Sequence, residues 1–150
     1  ERVDKLVLVG CPVFEPFTAP DRLKDMTGQY DRDGLPIPRT LEELKAATTF
    51  ADPKPEWVDA NNQTRAQAGV WVGKLMQSLA YYDLMSRLPR IQATATLVMY
   101  GEVDRLRTGQ ELLRNNIVNA SIKILPGLGH IPQIEDPELF VGELIPFLNG

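Results

Sequence analysis

Apolar residues follow two rhythms along this chain. Three short segments, Lys5 to Gly10 (KLVLVG), Thr96 to Tyr100 (TLVMY) and Ser121 to Leu125 (SIKIL), are continuously apolar or alternating, and each is closed by glycine or proline. Runs of this length bounded by turn formers predict strands, the first two buried on both faces. Between the first and second, Pro12, Pro16, Pro20, Gly28, Gly34, Pro36 and Pro38 punctuate too densely for long regular structure. That stretch predicts a loop-rich insertion with one short helix around Asp21 to Met26.

From Thr40 the rhythm becomes helical. Thr40 and Glu43 form a capping box ahead of Leu41, Leu44 and Ala47, so a helix is expected to end before Pro53. Pro55 suits a first helical position, opening a polar helix that reaches about Ala68. Val72, Leu75, Met76, Leu79, Tyr82 and Leu84 to Leu88 predict an amphipathic helix or helix pair stopped by Pro89. After the second strand, Thr108 with Glu111 reads as a second capping box before Leu112, Leu113 and Ile117. After the third, Asp136-Pro137-Glu138 opens a last helix, which Pro146 should kink or end near Ile145.

Strand, helical insertion, strand, helix, strand, helix is the order of an α/β protein with parallel strands and right-handed crossovers. Three buried parallel strands do not complete such a sheet, because its edges need neighbours. Glu1 lies about four residues before the first strand with no initiator methionine, so the chain is expected to be cut from something longer. Exposed strand edges, and hence self-association or a companion chain, follow as expectations.

Composition narrows the partners. The chain has 150 residues, 43% hydrophobic and 24% charged, with Lys+Arg 16 against Asp+Glu 20 and a formal net charge of -4. An acidic balance without a Lys/Arg run argues against nucleic acid or an anionic membrane as the main partner. No stretch approaches a membrane span, and no signal peptide opens the chain. Cys11 and His130 are each the only residue of their type, which removes an internal disulfide and the usual nitrogen- and sulfur-rich metal cage. No metal and a reducing cytoplasm are the expectations.

The chemistry concentrates at two strand ends. Asp104 lies three positions past Gly101, which closes the second strand, and His130 follows Gly127-Leu128-Gly129 after the third. Ligands of parallel α/β sheets gather outside the carboxyl ends of strands, and here those ends offer a carboxylate and an imidazole. A carboxylate bonded to one ring N–H fixes the tautomer, leaving the other nitrogen to take a proton from a nucleophile. Taken alone, Asp104 would cap its own turn, Glu102 would be a solvated carboxylate, and a histidine in a glycine-rich loop would be structural.

With these residues in view the chain resembles the carboxyl-terminal part of an α/β-hydrolase-fold protein. KLVLVG is similar to the sixth strand of that family's sheet. TLVMYGEVD resembles the strand and turn carrying the acid, and ILPGLGHIPQIEDPELF the histidine turn with its following helix. The resemblance implies a core strand over 1–12, a helical cap insertion over 13–90 and a core segment over 91–150. It also implies that Asp104 is the acid and His130 the base of a nucleophile-His-Asp triad, and that no cofactor is needed. Glu15, just past the first strand, is where some relatives keep their acid.

The Gly-x-Ser-x-Gly turn that would carry the nucleophile is absent. Ser78, Ser86 and Ser121 lie in no such turn, and Gly69-Val70-Trp71-Val72-Gly73 has tryptophan between its glycines. The nucleophile is therefore expected in a missing amino-terminal half. The usual proline after the acid is replaced by Leu106, Arg107 and Thr108. Cys11 at a strand end is a candidate nucleophile whose ordinary alternative is a small apolar filler. In the cap, Trp57, Trp71, Met76, Tyr81, Tyr82 and Met85 could line an apolar pocket or simply pack together. Asn61 and Arg65, one turn apart, could clamp a substrate carboxylate or form an ordinary polar face. The order of cap helices is similar to hydrolases of carbon–carbon bonds in aromatic degradation, although Ile131 replaces the tryptophan usual after their Gly-His pair.

The expected activity is hydrolysis of an ester or an activated carbon–carbon bond, with Asn61, Arg65, Trp71 and Ile131 touching the small-molecule substrate. A receptor on the same fold, or an epoxide hydrolase or haloalkane dehalogenase with an Asp nucleophile, are the rivals.

Overall fold

The computed structural model describes residues 3–13, 28–92 and 94–150. Glu15 and the short helix expected near Asp21 to Met26 lie outside the described residues. Three parallel strands, β1 (Lys5–Val9), β2 (Ala95–Gly101) and β3 (Ala120–Leu125), form one sheet in the order β1-β2-β3. Val7 pairs with Leu97 across one junction and Val98 with Ile122 across the other.

The central strand explains both layers. Along β2, Val98 and Tyr100 face one side and Leu97 and Met99 the other, as the two-residue period of a strand requires. The first pair packs with Val13, Leu88, Leu113 and Ile117. The second packs with Leu125 and, from the last helix, Leu139, Phe140, Leu144 and Phe147. Each such side chain, fully buried, contributes about 1.5–3 kcal/mol of transfer free energy. By contrast β1 is only half-buried along its whole length, not buried on both faces as its sequence suggested. It is an edge here, with β2 on one side alone.

Between β1 and β2 lie α1 (Leu41–Ala46), α2 (Pro55–Ala68) and α3 (Trp71–Tyr81). The Thr40 capping box forms: Thr40 Oγ1 accepts from the Glu43 N–H, and Glu43 accepts from the Thr40 N–H. Leu44, Phe50 and Val58 make a separate cluster joined by Leu41, Trp57 and Ile131, so α1 and α2 dock on the residue that follows the histidine. No described helix is long and apolar enough to cross a membrane.

Three local expectations are corrected. The Leu84 to Leu88 run is not a second helix: Asp83 Oδ1 accepts from the Ser86 N–H and turns the chain, and Pro89 then falls inside a 3₁₀ turn (Leu88–Arg90). Thr108 caps nothing. A 3₁₀ segment (Arg105–Gly109) already starts at Asp104, so Thr108 lies inside it and donates to the Arg105 carbonyl, while α4 (Gln110–Asn116) begins without a side-chain cap. Helix α6 (Pro137–Asn149), which follows the short α5 (Pro132–Glu135), runs through Pro146. A proline so close to a helix end removes a single intrahelical bond, and the Gly150 N–H still reaches the Pro146 carbonyl.

Candidate active site

Asp104 and His130 meet. His130 Nδ1 lies 3.0 Å from Asp104 Oδ2, with the Asp104 side chain fully shielded and that of His130 36% exposed. A carboxylate can only accept, so in the neutral ring this contact places the proton on Nδ1 and leaves Nε2 without one. A hydrogen bond to a buried charged group of this kind contributes about 1.5–3 kcal/mol. Asp104 keeps its local role as well, its Oδ1 accepting from the Leu106 N–H at 2.9 Å. One carboxylate thus both caps the turn and orients the ring.

The turns are held by backbone contact at close range. Gly10, at the end of β1 with φ +56, lies so near His130 that a Cβ there would fall 2.7 Å from Nδ1. Gly101 is equally confined by the carbonyls of Leu128 and Gly129. Glu102, expected to be merely solvated, accepts from the Gly127 N–H at 2.9 Å and ties the acid turn to the histidine loop. Tyr100 donates to the Cys11 carbonyl at 2.7 Å, and burial pushes its phenol pKa up.

Two residues of this site were not singled out in the sequence. Thr48, after α1, adopts a left-handed φ of 54, which costs a β-branched residue about 1–3 kcal/mol. Its carbonyl accepts from the His130 N–H at 2.9 Å, and its Oγ1 accepts from the Arg105 N–H at 2.9 Å. No sequence signal marks a threonine for such a conformation. Glu135 accepts from the Gly129 N–H through Oε1 and from the Ala51 N–H through Oε2, both at 2.7 Å. Burial outweighs these two bonds and leaves its carboxyl above the usual value. No sequence signal marks Glu135 out either, since Asp136 and Glu138 are acids beside it.

The remaining candidates divide. Ile131 is half-buried in the Leu44 cluster beside the histidine. Asn61 and Arg65 share a face of α2, where Asn61 Oδ1 and Arg65 Nε and Nη2 are buried without a hydrogen-bond partner among the described residues. Trp71 is 69% exposed under the Lys74 ammonium, apart from that cluster. Tyr81 and Tyr82 are exposed too, whereas Trp57 packs on Phe50 and Met85 on the sheet cluster. Cys11 is half-buried and its thiol pKa is raised by desolvation, which suits a filler and opposes a thiolate nucleophile. Ser78 and Ser86 donate to backbone carbonyls of their own turns, and Ser121 lies at the opposite end of β3 from the histidine loop. Among the described residues no group of three His, Cys, Asp or Glu side chains could hold a metal ion.

The three-stranded parallel sheet and its helices have counterparts in known proteins. The chain superposes over 100% of its length on 59% of a bromoperoxidase from Bacillus anthracis, with TM-score 0.69 and 19% identity. It covers 58% of an esterase from Exiguobacterium antarcticum at TM-score 0.62 and 22% identity. It covers 57% of a 2-hydroxy-6-oxo-6-phenylhexa-2,4-dienoate hydrolase from Rhodococcus sp. strain RHA1 at TM-score 0.62 and 19% identity. In sequence, all of the chain aligns with an alpha/beta hydrolase domain-containing protein, VTE7, of Arabidopsis thaliana at 26% identity, spanning 47% of that relative. No family model matches. The chain therefore has the α/β-hydrolase fold, in a portion about half the length of the proteins it resembles.

Proposed function

We propose that this chain is the acid-and-base portion of a cap-bearing hydrolase that cleaves an ester or an activated carbon–carbon bond. The observation that carries the reading is the 3.0 Å contact between His130 Nδ1 and the fully shielded Asp104 carboxylate. In the proposed reaction His130 Nε2 takes the proton of a serine hydroxyl as its oxygen attacks the carbonyl, and returns it to the departing group. The same nitrogen then deprotonates water, which releases the acyl group. Asp104 holds the ring and stabilises the imidazolium without itself being protonated.

The serine and the backbone N–H groups that stabilise the oxyanion belong, in this reading, to strands that pair with the free edge of β1. Residues 13–90 form the cap over the site, and a single half-buried thiol suits a reducing cytoplasm. Among the proteins with similar structures, one is an esterase and another a dienoate hydrolase, which supports this pair of bond types.

The test is turnover of a chromogenic short-chain ester by the natural-length protein. Asp104→Asn is expected to lower kcat by about 10⁴-fold through the wrong tautomer, and His130→Ala by at least as much. Unchanged turnover in both variants would refute the assignment. Thermal stabilisation by the ester without turnover would favour the receptor, and turnover of an epoxide or haloalkane alone would favour an Asp nucleophile.

A further inference from the structure

Thr48 stands where a helix usually ends on glycine. Its N–H donates to the Lys45 carbonyl at 2.9 Å and the Thr49 N–H to the Leu44 carbonyl at 3.0 Å, so α1 closes through a left-handed residue that satisfies its last carbonyls. Glycine adopts that conformation freely, whereas a β-branched side chain is strained in it. The helix end by itself therefore gives no reason for a threonine. What glycine would lack is the hydroxyl, and here the hydroxyl is used twice. It donates to the Ala47 carbonyl at 2.8 Å and accepts from the Arg105 N–H at 2.9 Å.

Through these contacts Thr48 reaches both turns of the candidate site. Arg105 opens the 3₁₀ segment that Asp104 caps, so the hydroxyl seats the acid turn by its backbone. The carbonyl of the same threonine takes the His130 N–H at 2.9 Å. Between the two attachments lies the 3.0 Å contact of His130 Nδ1 with Asp104 Oδ2. The residues that follow extend the bracket: Phe50 packs in one cluster with Ile131, and the Ala51 N–H donates to Glu135. The histidine loop passes so close that a Cβ on Gly129 would fall 2.8 Å from the Ala51 nitrogen.

We propose that Thr48 is a positioning residue for the acid–base pair, its hydroxyl setting the acid turn and its carbonyl the histidine turn. The helical segment then fixes the distance at which Asp104 meets His130. For turnover this inference rests on the hydrolase reading, whereas for the geometry of the pair it does not. A strained threonine persists at the helix end because only a side-chain oxygen there can hold the Arg105 N–H.

Variants of the natural-length protein test this by melting temperature, by kinetics on a chromogenic ester and by ¹⁵N NMR of the His130 ring. Thr48→Gly deletes the hydroxyl and relieves the strain, Thr48→Val deletes the hydroxyl but keeps shape and strain, and Thr48→Ser keeps the hydroxyl. Arg105→Pro deletes the donor at the first position of a 3₁₀ turn, where proline suits, behind an Asp104 that is already extended. Thr48→Gly should melt within a few degrees of the parent, since relief of strain offsets the lost bond. Thr48→Gly and Thr48→Val should both lower kcat about 10- to 100-fold with KM within about twofold, and weaken the preference of the ring proton for Nδ1. Thr48→Ser should keep kcat within about threefold, with the proton on Nδ1. Arg105→Pro should match Thr48→Val, and the double variant should be no slower than either alone.

The proposal is overturned by a parental ring tautomer in both hydroxyl-free variants, by a Thr48→Ser as impaired as Thr48→Val, or by additive losses in the double variant. An activity loss in Thr48→Gly no larger than its unfolded fraction explains would overturn it too. The expected change of tautomer alongside unimpaired ester turnover in His130→Ala would leave the positioning role standing and remove the hydrolase reading. Lost turnover in His130→Ala with parental kcat and tautomer in both hydroxyl-free variants would do the reverse.

Discussion

At the scale of single residues, chemistry here depends on what is missing from a side chain as much as on what is present. The imidazole of His130 can approach Asp104 because residue 10 has no Cβ, which would otherwise stand 2.6 Å from Cε1. Gly10→Ala should therefore displace the ring as well as strain a backbone at φ +56. The strain costs about 1–2 kcal/mol, a modest loss in denaturant unfolding. A ring shift near 1 Å costs catalysis about 10²-fold. Ester turnover in the natural-length protein should then fall far more than stability does, and parallel losses would contradict the argument. Asp104 and His130 were legible in sequence because each sits in a glycine-marked turn just past a strand. Thr48 was not: a left-handed φ is imposed by the Arg105 and His130 contacts on either side of it, which no local pattern encodes.

Among elements, the joint between the helical segment and the histidine loop rests on Glu135, whose two oxygens serve Gly129 and Ala51. Glutamine can accept only one of these N–H groups and would turn its own NH₂ towards the other. Glu135→Gln should cost about 1–3 kcal/mol at low pH, the penalty of an unsatisfied donor. The pH dependence has a definite sign. Burial raises the folded carboxyl above its ordinary 4.5, so ionisation favours the unfolded chain. The group's contribution is complete below that ordinary value and declines as pH rises through the raised one. Stability measured across that range should fall in the parent relative to Glu135→Gln; a gap between them that widens with pH would be contrary. Strands, the Thr40 box and the Asp136 cap were readable because each is a local signal. The turn at Asp83 and the 3₁₀ segment at Arg105 were not, because a side-chain acceptor just upstream pre-empted the expected helix start or continuation.

For the whole molecule, the sheet is asymmetric in its cover. The interior of β2 is sealed by helices on both faces, whereas β1 keeps one edge free of the three-stranded sheet and is half-exposed throughout. Val141, Ile145 and Leu148 of α6 are each more than 40% exposed as well. Apolar surface of this kind, together with a strand that has a free edge, favours association. The 150-residue chain by itself should form oligomers in light scattering, and a monodisperse monomer with a cooperative melt would count against the proposed pairing at β1. The fold class was readable from the alternation of strand and helix. What covers the free edge of β1 was not, since no local pattern within a strand names the neighbour it pairs with.

The most direct test of the proposed acid–base pair is the tautomer of His130, read from its ring nitrogens by ¹⁵N NMR. Above the pH at which the ring is neutral, the proton should reside on Nδ1, with Nε2 bare, and Asp104→Ala should abolish that preference. A proton on Nε2 in the parent, or a tautomer indifferent to Asp104→Ala, would contradict it.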